Sequence, residues 1–380
     1  MSKKILISAM AGSGNLGDDL IAYYLTEELT IKYPDSTIYL LVGQENINLI
    51  KFSKHVFFIR KPKLSKFKER FSVNRKLRKL FDSLDYFVIG GGGLFQDSHS
   101  EFTVHHYLKY FKFLNGKTNV IGVGLGVGPV RGQFTNNYMK EYLKYFNHIQ
   151  VRDYTSKDGL SGIFQDISIA PDIVLGSKVH NILPEISKEY LGASIRPAPD
   201  LVMSQVIEEL LQLYRKHKLK LFLFVFEDKS DSNVELDFNR KILKLLKEEG
   251  VQCEISNYRL DPNFLIKFSK VKYALASRYH ANILWQKIGA FVKPIAYAPK
   301  VSSLYKENEI IDSFGDYVRI SISTTYSLPN MDYDNNFNMS LSNQIGLYQT
   351  SVREVFALIK QKLIRNNKEY GFNIPQEKRR

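Results

Sequence analysis

Short apolar runs alternate along most of the chain with stretches in which apolar residues recur at helical intervals. Residues 4–9 form a continuous apolar run that leads into glycines, and residues 18–32 follow with helical spacing. The same pattern predicts further strands at 37–42, 56–59, 86–89, 120–123 and 149–151, with helices at 66–82 and 135–146. This alternation predicts a mainly parallel sheet with helices on both faces.

A second series of the same kind follows Pro171. It predicts strands at 191–195, 219–226, 251–255, 271–276 and 291–296, and helices at 200–216, 234–249 and 280–288. A loop-rich interval, 175–188, separates the two series. We therefore predict an α/β domain over residues 1–180, a second over 181–320, and a tail over 321–380 with a polar stretch and a helix at 344–364.

Composition is consistent with two domains, because 380 residues that are 44% hydrophobic and 24% charged can bury two cores. The single cysteine, Cys253, excludes an intramolecular disulfide framework, and no cysteine and histidine set has zinc-site spacing. We expect no metal and no cofactor. The N-terminus lacks the long apolar run of a signal peptide, and no apolar run approaches the ~20 residues that cross a bilayer. These features favour a cytoplasmic protein.

The formal charge of +14 predicts anionic partners. Residues 51–79 are dense in lysine and arginine with interleaved phenylalanines, which suits a peripheral contact with an anionic membrane at its inner face. A solvated basic helix whose aromatic residues face the domain explains the same segment. No nucleic-acid-binding module is recognisable, so we expect no nucleic acid partner.

A glycine-rich loop over residues 12–17 matches G-x-G-x-x-G between a strand and a helix. The dinucleotide interpretation is weak, because the second strand ends in Gly43-Gln44 without the acidic residue that would hold a ribose, and Asp18 and Asp19 stand where a pyrophosphate would bind. A second interpretation places Asn15, Gly17 and Asp18 on the wall of a cleft, where they contact a hydroxylated acceptor. In a third, Asp18 only caps the helix.

Two further glycine clusters follow predicted strands. Four consecutive glycines at 90–93, among them Gly91 and Gly92, favour close approach of a ligand at a strand end. Glycines at every second position from Gly122 to Gly128 share one face of a strand, which either a packed helix or a ligand explains.

Arginines follow three predicted strands, at Arg152, Arg196 and Arg278. An arginine in such a place often forms only a structural salt bridge, but a guanidinium can also bind carboxylate or phosphate through two hydrogen bonds. The sequence Ser277-Arg278-Tyr279-His280 adds a helix start and an imidazole that exchanges protons near neutral pH. It is the strongest candidate site in the second half.

Taken in order, these stretches resemble the polysaccharide pyruvyl transferase family over about residues 5 to 305. The resemblance rests on the loop with Asn15, Gly17 and Asp18, on Gly90 to Gly93, Gly126 to Pro129, Arg152-Asp153 with Ser156, Ser194 to Arg196, Ser277 to His280, and Gly289 to Val301. Tyr279 departs from the leucine or phenylalanine that is usual there. The resemblance implies a two-domain fold similar to the GT-B glycosyltransferases, with the site in the interdomain cleft.

The implied reaction transfers a pyruvyl group from phosphoenolpyruvate to a sugar, or to a lipid-linked oligosaccharide, as a ketal. His280 would be the general acid, and Asp18 would act as base or orient the acceptor. Arg196, Ser277 and Arg278 of the second domain would bind the donor together with Arg152 of the first, and Gly91 and Gly92 would line the cleft. Two alternatives stay open: a nucleotide-sugar-dependent GT-B glycosyltransferase, with Glu254 or Asp261 as the ribose ligand, and a non-catalytic anion-binding protein on the same scaffold.

Overall fold

The computed structural model describes residues 2–43, 50–61, 75–97, 103–199, 201–229, 233–296, 299–306, 308–322 and 326–333. The first sheet within these residues comprises β1 (Lys4–Ser8), β2 (Thr37–Val42), β3 (Val56–Arg60), β4 (Tyr86–Phe95), β5 (Asn119–Val127), β6 (His148–Val151) and β7 (Ile167–Ile169). Its order is β3-β2-β1-β4-β5-β6-β7, and all neighbours are parallel. The strand order reverses between β1 and β4.

The helices of this half are α1 (Leu16–Lys32), α2 (Arg75–Asp82), α3 (Thr103–Leu108), α4 (Gln133–Leu143), α5 (Tyr154–Leu160) and α6 (Ile173–Gly176). Helix α1 begins where it does because the Asn15 side chain accepts a hydrogen bond from the Gly17 N–H (3.0 Å). Asp18 and Asp19 in its first turn and Lys32 in its last complement the helix dipole.

The second sheet contains β8 (Tyr190–Ser194), β9 (Leu221–Val225), β10 (Cys253–Asn257), β11 (Val271–Ala276), β12 (Phe291–Pro294), β13 (Ile310–Phe314) and β14 (Tyr317–Ile320). Its order is β10-β9-β8-β11-β12-β14-β13, with β14 antiparallel to both neighbours and the other pairs parallel. The helices are α7 (Met203–His217), α8 (Val234–Glu248), α9 (Phe264–Ser269), α10 (Tyr279–Lys287) and α11 (Pro299–Lys306). Here the order reverses between β8 and β11.

The predicted α/β fold class is confirmed: the described residues form two doubly wound, Rossmann-like halves. Some details were wrong. Strand β4 continues through its four glycines instead of ending before them, and the antiparallel pair β13 and β14 was not predicted. Residues 66–74 of one predicted helix and the predicted helix at 344–364 lie outside the described residues.

One apolar core is shared by the two halves, in addition to a separate core in each half. A single cluster of buried side chains joins Leu20 and Ile21 of α1 to Phe226 and Ala281 of the second half. Past β14 the chain returns to the first half, where the Tyr326 hydroxyl donates to Gln150 Oε1 (2.7 Å) and the Gln150 amide donates to the Ser327 carbonyl (3.0 Å). The described part of the polar stretch therefore lies on the first sheet's half.

Gly91 is required by packing of α1 against β4. Its φ of 59° lies in the left-handed region, and a Cβ there would lie 1.9 Å from Ile21 Cγ2. Gly93, two residues on, has nothing within 4 Å of the same position. The packing of α1 on β4 therefore requires glycine at position 91, whereas position 93 has space for a side chain.

We predict that Gly91→Ala lowers the free energy of unfolding by more than ~2 kcal/mol, because the left-handed backbone and the overlap with Ile21 both oppose a methyl group. Gly93→Ala is the matched control and should change stability by less than ~1 kcal/mol. Urea denaturation followed by circular dichroism measures both. Equal stability of the two variants would contradict the packing role of Gly91.

Candidate active site

The candidate site lies where the two sheets present their reversal points to each other. In doubly wound sheets, ligands bind beyond the carboxyl ends of the strands at the point where strand order reverses. The loop after β1 and the end of β4 supply one wall, and the ends of β8 and β11 supply the other. The site residues predicted from the sequence lie at these strand ends or in the loop and helix start that follow them. Arg152 is the exception, because it follows β6.

The glycine loop is joined directly to the second half. The Leu16 N–H donates to the Phe226 carbonyl (3.0 Å), and the Asp228 N–H donates to the Gly14 carbonyl (3.0 Å). Between them, Asn15 and Glu227 form an antiparallel bridge. The loop is therefore both a wall of the cleft and the joint that closes one end of it.

Asn15 and Gly17 have structural tasks in this joint. The Asn15 side chain caps α1, so the interpretation that Asp18 is the helix cap was wrong. A Cβ on Gly17 would lie 2.1 Å from His280 Nδ1, so the imidazole occupies the space that any larger residue would need. Glycine at position 17 therefore lets the start of α10 meet the start of α1.

His280 is held on its other side by Asp172, a residue that was not among the predicted site residues. Its Nε2 lies 3.6 Å from Asp172 Oδ2, and the Asp172 side chain is only 2% exposed. Asp172 also caps α6 by accepting from the Val174 N–H (3.0 Å). Burial acts to raise the pKa of Asp172, but His280, Arg152 and the Val174 N–H outweigh it and lower the pKa below its ordinary value.

Asp18 faces the same space from α1. Ser13 Oγ donates to its Oδ2 (3.3 Å), and its Oδ1 would lie 3.7 Å from a Cβ on Gly92. Burial raises the pKa of Asp18, an effect that Glu227 adds to and that His280, Arg278 and Lys300 oppose. Asp18 and His280, the two predicted catalytic residues, thus lie on opposite walls and interact electrostatically.

Four cations surround this space: Arg152, Arg196, Arg278 and Lys300, with Lys300 again missed by the sequence. The Arg152 guanidinium lies against Gly126, where a Cβ would be 2.7 Å from Cζ, which explains one of the alternating glycines. Arg152 also contacts Asp153 (3.3 Å) and Asp172 (3.8 Å). Such a concentration of positive charge favours an anionic ligand.

Arg278 and Ser277 both interact with other groups of the protein. Arg278 forms ion pairs with Glu227 Oε2 (2.7 Å) and with Glu235. Burial acts to raise the pKa of Glu227, but Arg278 and Lys229 outweigh it and lower the pKa to about 2. The Ser277 hydroxyl accepts a hydrogen bond from the Arg196 N–H (2.7 Å), which ties the end of β11 to the end of β8.

Lys61 belongs to the basic segment but turns inward. Its ammonium group donates to the Ala9 carbonyl and lies 5.5 Å from the centre of the Tyr107 ring. Burial lowers its pKa to about 8, against the opposing effect of Asp18. Lys61 therefore contacts the interior of the first half, because β3 ends beside the glycine loop.

Asp19, next to Asp18, is fully buried beneath the loop. It accepts hydrogen bonds from the Gly12 N–H (2.7 Å) and from the Tyr258 hydroxyl of the second half (2.7 Å). Burial raises its pKa to about 7, although both hydrogen bonds lower it. Asp19 is thus a titrating group in the contact between the halves.

The carboxylates considered as ribose ligands lie in ion pairs of the second half. Glu254 contacts Lys220 (2.6 Å), and Asp261 contacts Lys267 (2.8 Å) and accepts from Ser256. Among the described residues, no group of three or more histidine, cysteine, aspartate or glutamate side chains is placed to bind a metal ion.

The polysaccharide pyruvyl transferase family model matches residues 15–284, from the glycine loop through His280. The chain belongs to this family. Among curated proteins, none matches the sequence significantly. The chain is also similar, at low identity, to solved structures of nucleotide-sugar enzymes.

One such structure is the UDP-GlcNAc 2-epimerase of Methanocaldococcus jannaschii with UDP-GlcNAc and UDP, at 10% identity over 93% of this chain and 100% of that chain, with a TM-score of 0.46. Another is Medicago truncatula UGT71G1 with UDP-glucose, at 10% identity over 80% of this chain and 83% of that chain (TM-score 0.45). An alpha-glucosyltransferase with UDP and DNA is 12% identical over 77% and 80% (TM-score 0.45).

The pKa of Asp19 predicts a pH-dependent stability. Because the pKa rises from 3.8 to about 7 on folding, the folded state binds more protons between these values, and stability falls as pH rises through them. Asp19→Asn keeps the neutral form and should lose less stability between pH 5 and pH 8, by about 1 kcal/mol or more.

Thermal or urea denaturation at both pH values measures this difference. The control is Asp35→Asn, which replaces an exposed carboxylate and should follow the wild-type pH dependence. If Asp19→Asn and the wild-type protein change in parallel, Asp19 is ionised throughout the range and the assignment fails.

Proposed function

We propose that this polysaccharide pyruvyl transferase transfers a pyruvyl group from phosphoenolpyruvate to a sugar of a cell-surface polysaccharide, or of its lipid-linked precursor, and forms a pyruvate ketal. The observation that supports this most is an imidazole, His280, held between Gly17 and Asp172 and surrounded by four cations. A proton donor beside a strongly cationic site suits a donor that carries both a phosphate and a carboxylate.

His280 is the general acid in this proposal. It protonates the methylene carbon of phosphoenolpyruvate, so that the methylene group becomes a methyl group and positive charge develops at the adjacent carbon. Asp172 lies beside Nε2 and stabilises the protonated imidazole. Asp172 is thus a positioning residue that acts through His280.

Ketal formation then requires two hydroxyl groups of the sugar. The first attacks the cationic carbon, the carbon–oxygen bond to phosphate breaks, and the second hydroxyl closes the ring. Of the two hydroxyl protons released, one balances the proton given to the methyl group and the other leaves with phosphate. In this proposal Asp18 accepts a hydroxyl proton, a role supported by its raised pKa and by its position across from His280.

In this proposal the acceptor binds to the wall formed by Asp18, Ser13 and Gly92 of β4, with Lys61 at the edge of that wall. We propose that the acceptor is attached to a lipid at the inner face of an anionic membrane. The described part of the basic segment supports this, because Phe57 and Phe58 are 53% and 51% exposed on the edge strand β3. No described helix is both long and apolar enough to cross a membrane.

The donor identity is tested by a screen in which phosphate or nucleotide release is measured with phosphoenolpyruvate or nucleotide sugars and a panel of sugars. We predict phosphate release from phosphoenolpyruvate only when an acceptor is present.

We predict that His280→Ala lowers this turnover at least 100-fold without loss of fold, because no other described group replaces the acid. His55→Ala changes an exposed histidine and should keep full turnover. Normal turnover in His280→Ala would refute the acid assignment, and release of nucleotide instead of phosphate would refute the donor.

The variant Asp172→Asn tests whether Asp172 acts by positioning His280 or by binding phosphoenolpyruvate. Because the protonated imidazole loses its counter-charge, we predict that kcat falls 10- to 100-fold while KM for phosphoenolpyruvate changes less than threefold. The alkaline limb of the pH–rate profile should also move to lower pH. Asp153→Asn, which alters the other carboxylate partner of Arg152, is the matched control and should leave that limb in place. A raised KM with an unshifted profile would show that Asp172 acts on donor binding instead.

A further inference from the structure

Lys61 and Asp18 are both held by the loop that follows β1. The Lys61 ammonium group donates a hydrogen bond to the Ala9 carbonyl, where this loop begins. Ser13, further along the same loop, donates from Oγ to Asp18 Oδ2 (3.3 Å). The other carboxylate oxygen, Oδ1, would lie 3.7 Å from a Cβ on Gly92 of β4. One short loop therefore places a cation and a carboxylate at the wall assigned to the acceptor.

Lys61 is a partly buried cation of the first half. Its ammonium group lies 5.5 Å from the centre of the Tyr107 ring on α3. Burial lowers its pKa to about 8, and the Asp18 carboxylate acts in the opposite direction. The pKa of His106, also on α3, is lowered to about 4 by burial and by Lys109 and Lys61, so this imidazole is neutral at pH 7. Lys61 itself stays mostly protonated at pH 7 and attracts the Asp18 carboxylate.

The other cations that act on Asp18 belong to the second half. Burial raises the pKa of Asp18, Glu227 adds to this effect, and His280, Arg278 and Lys300 lower the pKa. In the proposed function these three cations lie on the donor side of the cleft. The charge state of Asp18 therefore depends on groups that the reaction itself changes.

Binding of the donor makes the ionised form of Asp18 less favourable. Phosphoenolpyruvate carries a phosphate and a carboxylate, whose negative charges offset the cations of the second half. His280 also loses its positive charge when it protonates the methylene carbon. Asp19, the next residue of α1, repels Asp18 when it is ionised. Lys61 is separate from these changes, because it lies in the first half beside the acceptor wall.

We infer that Lys61 is a positioning residue for the acceptor side of the reaction: its ammonium group keeps Asp18 ionised, ready to accept a proton from the sugar hydroxyl. The inference rests on the proposed function for the role of Asp18. The proton moves from the hydroxyl oxygen to the Asp18 carboxylate as that oxygen bonds to the cationic carbon. Lys61 keeps its own protons throughout and acts only through its charge.

Lys61→Gln removes the charge and keeps an N–H group that can donate to the Ala9 carbonyl. We predict that the midpoint of the Asp18 titration moves to higher pH by about one pH unit, because an attractive charge is lost. NMR of the aspartate carboxyl carbons measures the midpoint, and Asp18→Asn identifies the signal. Lys61→Arg keeps the charge and should keep the wild-type midpoint. Lys140→Gln removes an exposed lysine of α4 and is the matched control for net charge.

The pH–rate profile tests the same charge during turnover. Because Asp18 accepts a proton only when it is ionised, the acidic limb for kcat should move to higher pH in Lys61→Gln. On that limb kcat should fall by up to ~tenfold, whereas on the plateau it should stay within ~twofold of the wild-type value. KM for phosphoenolpyruvate should change less than ~threefold. A purely structural role of Lys61 would lower kcat equally at every pH.

A reciprocal measurement leaves Lys61 in place. Since the attraction is mutual, Asp18→Asn should lower the pKa of Lys61 below its value of about 8 in the wild-type protein. NMR of the lysine side-chain carbons follows this titration, and circular dichroism confirms the fold of each variant. An unchanged pKa of Lys61 would overturn the inference even if Lys61→Gln does not fold.

The outcomes separate this inference from the proposed function. If the wild-type protein turns over phosphoenolpyruvate and the Asp18 titration is the same in Lys61→Gln, the inference is overturned and the function stands. If the titration moves but no acceptor supports turnover in the wild-type protein, the effect of Lys61 on Asp18 stands and the function fails.

Discussion

The contact between the His280 ring and the Gly17 backbone determines how closely the two halves of the molecule approach. A side chain at position 17 would overlap the imidazole, so the start of α10 reaches the start of α1 only because glycine is there. The antiparallel bridge of Asn15 with Glu227 and the buried hydrogen bond of Asp19 with Tyr258 reinforce the same approach. As a result, the His280 imidazole on one half and the Asp18 carboxylate on the other lie across a single cleft.

The electrostatics of the cleft follow from that approach. Bringing the halves together desolvates Asp18, Asp172 and Lys300, and each then depends on its neighbours for its charge state. Asp172 stays ionised because His280 and Arg152 face it, whereas Lys300 has cations for most of its neighbours. Charges that are unfavourable in the free protein are expected at a site whose ligand supplies the missing charge.

The fold was predictable because it depends on local patterns. Buried strands and amphipathic helices alternate in order along the chain, and right-handed crossovers leave few ways to connect them. Local patterns also indicated Asp18, Arg152, Arg196 and His280, each just after a strand or at a helix start. What they could not show is which charges meet: Asp172 and Lys300 have no motif of their own, and they are found only when distant segments pack.

Arg278 illustrates the limit of reading a site from residue types. Its sequence context, at a strand end before a helix, is the same as expected for an anion ligand, yet Glu227 and Glu235 lie within ion-pair distance of it. Glu227 is also the residue that bridges to the glycine loop, so Arg278 connects the second half's core to the joint between the halves. Through Glu227, the Arg278 guanidinium holds the glycine loop in position, and it also contributes positive charge to the cleft. Loss of activity after its substitution would therefore report on cleft geometry as well as on binding.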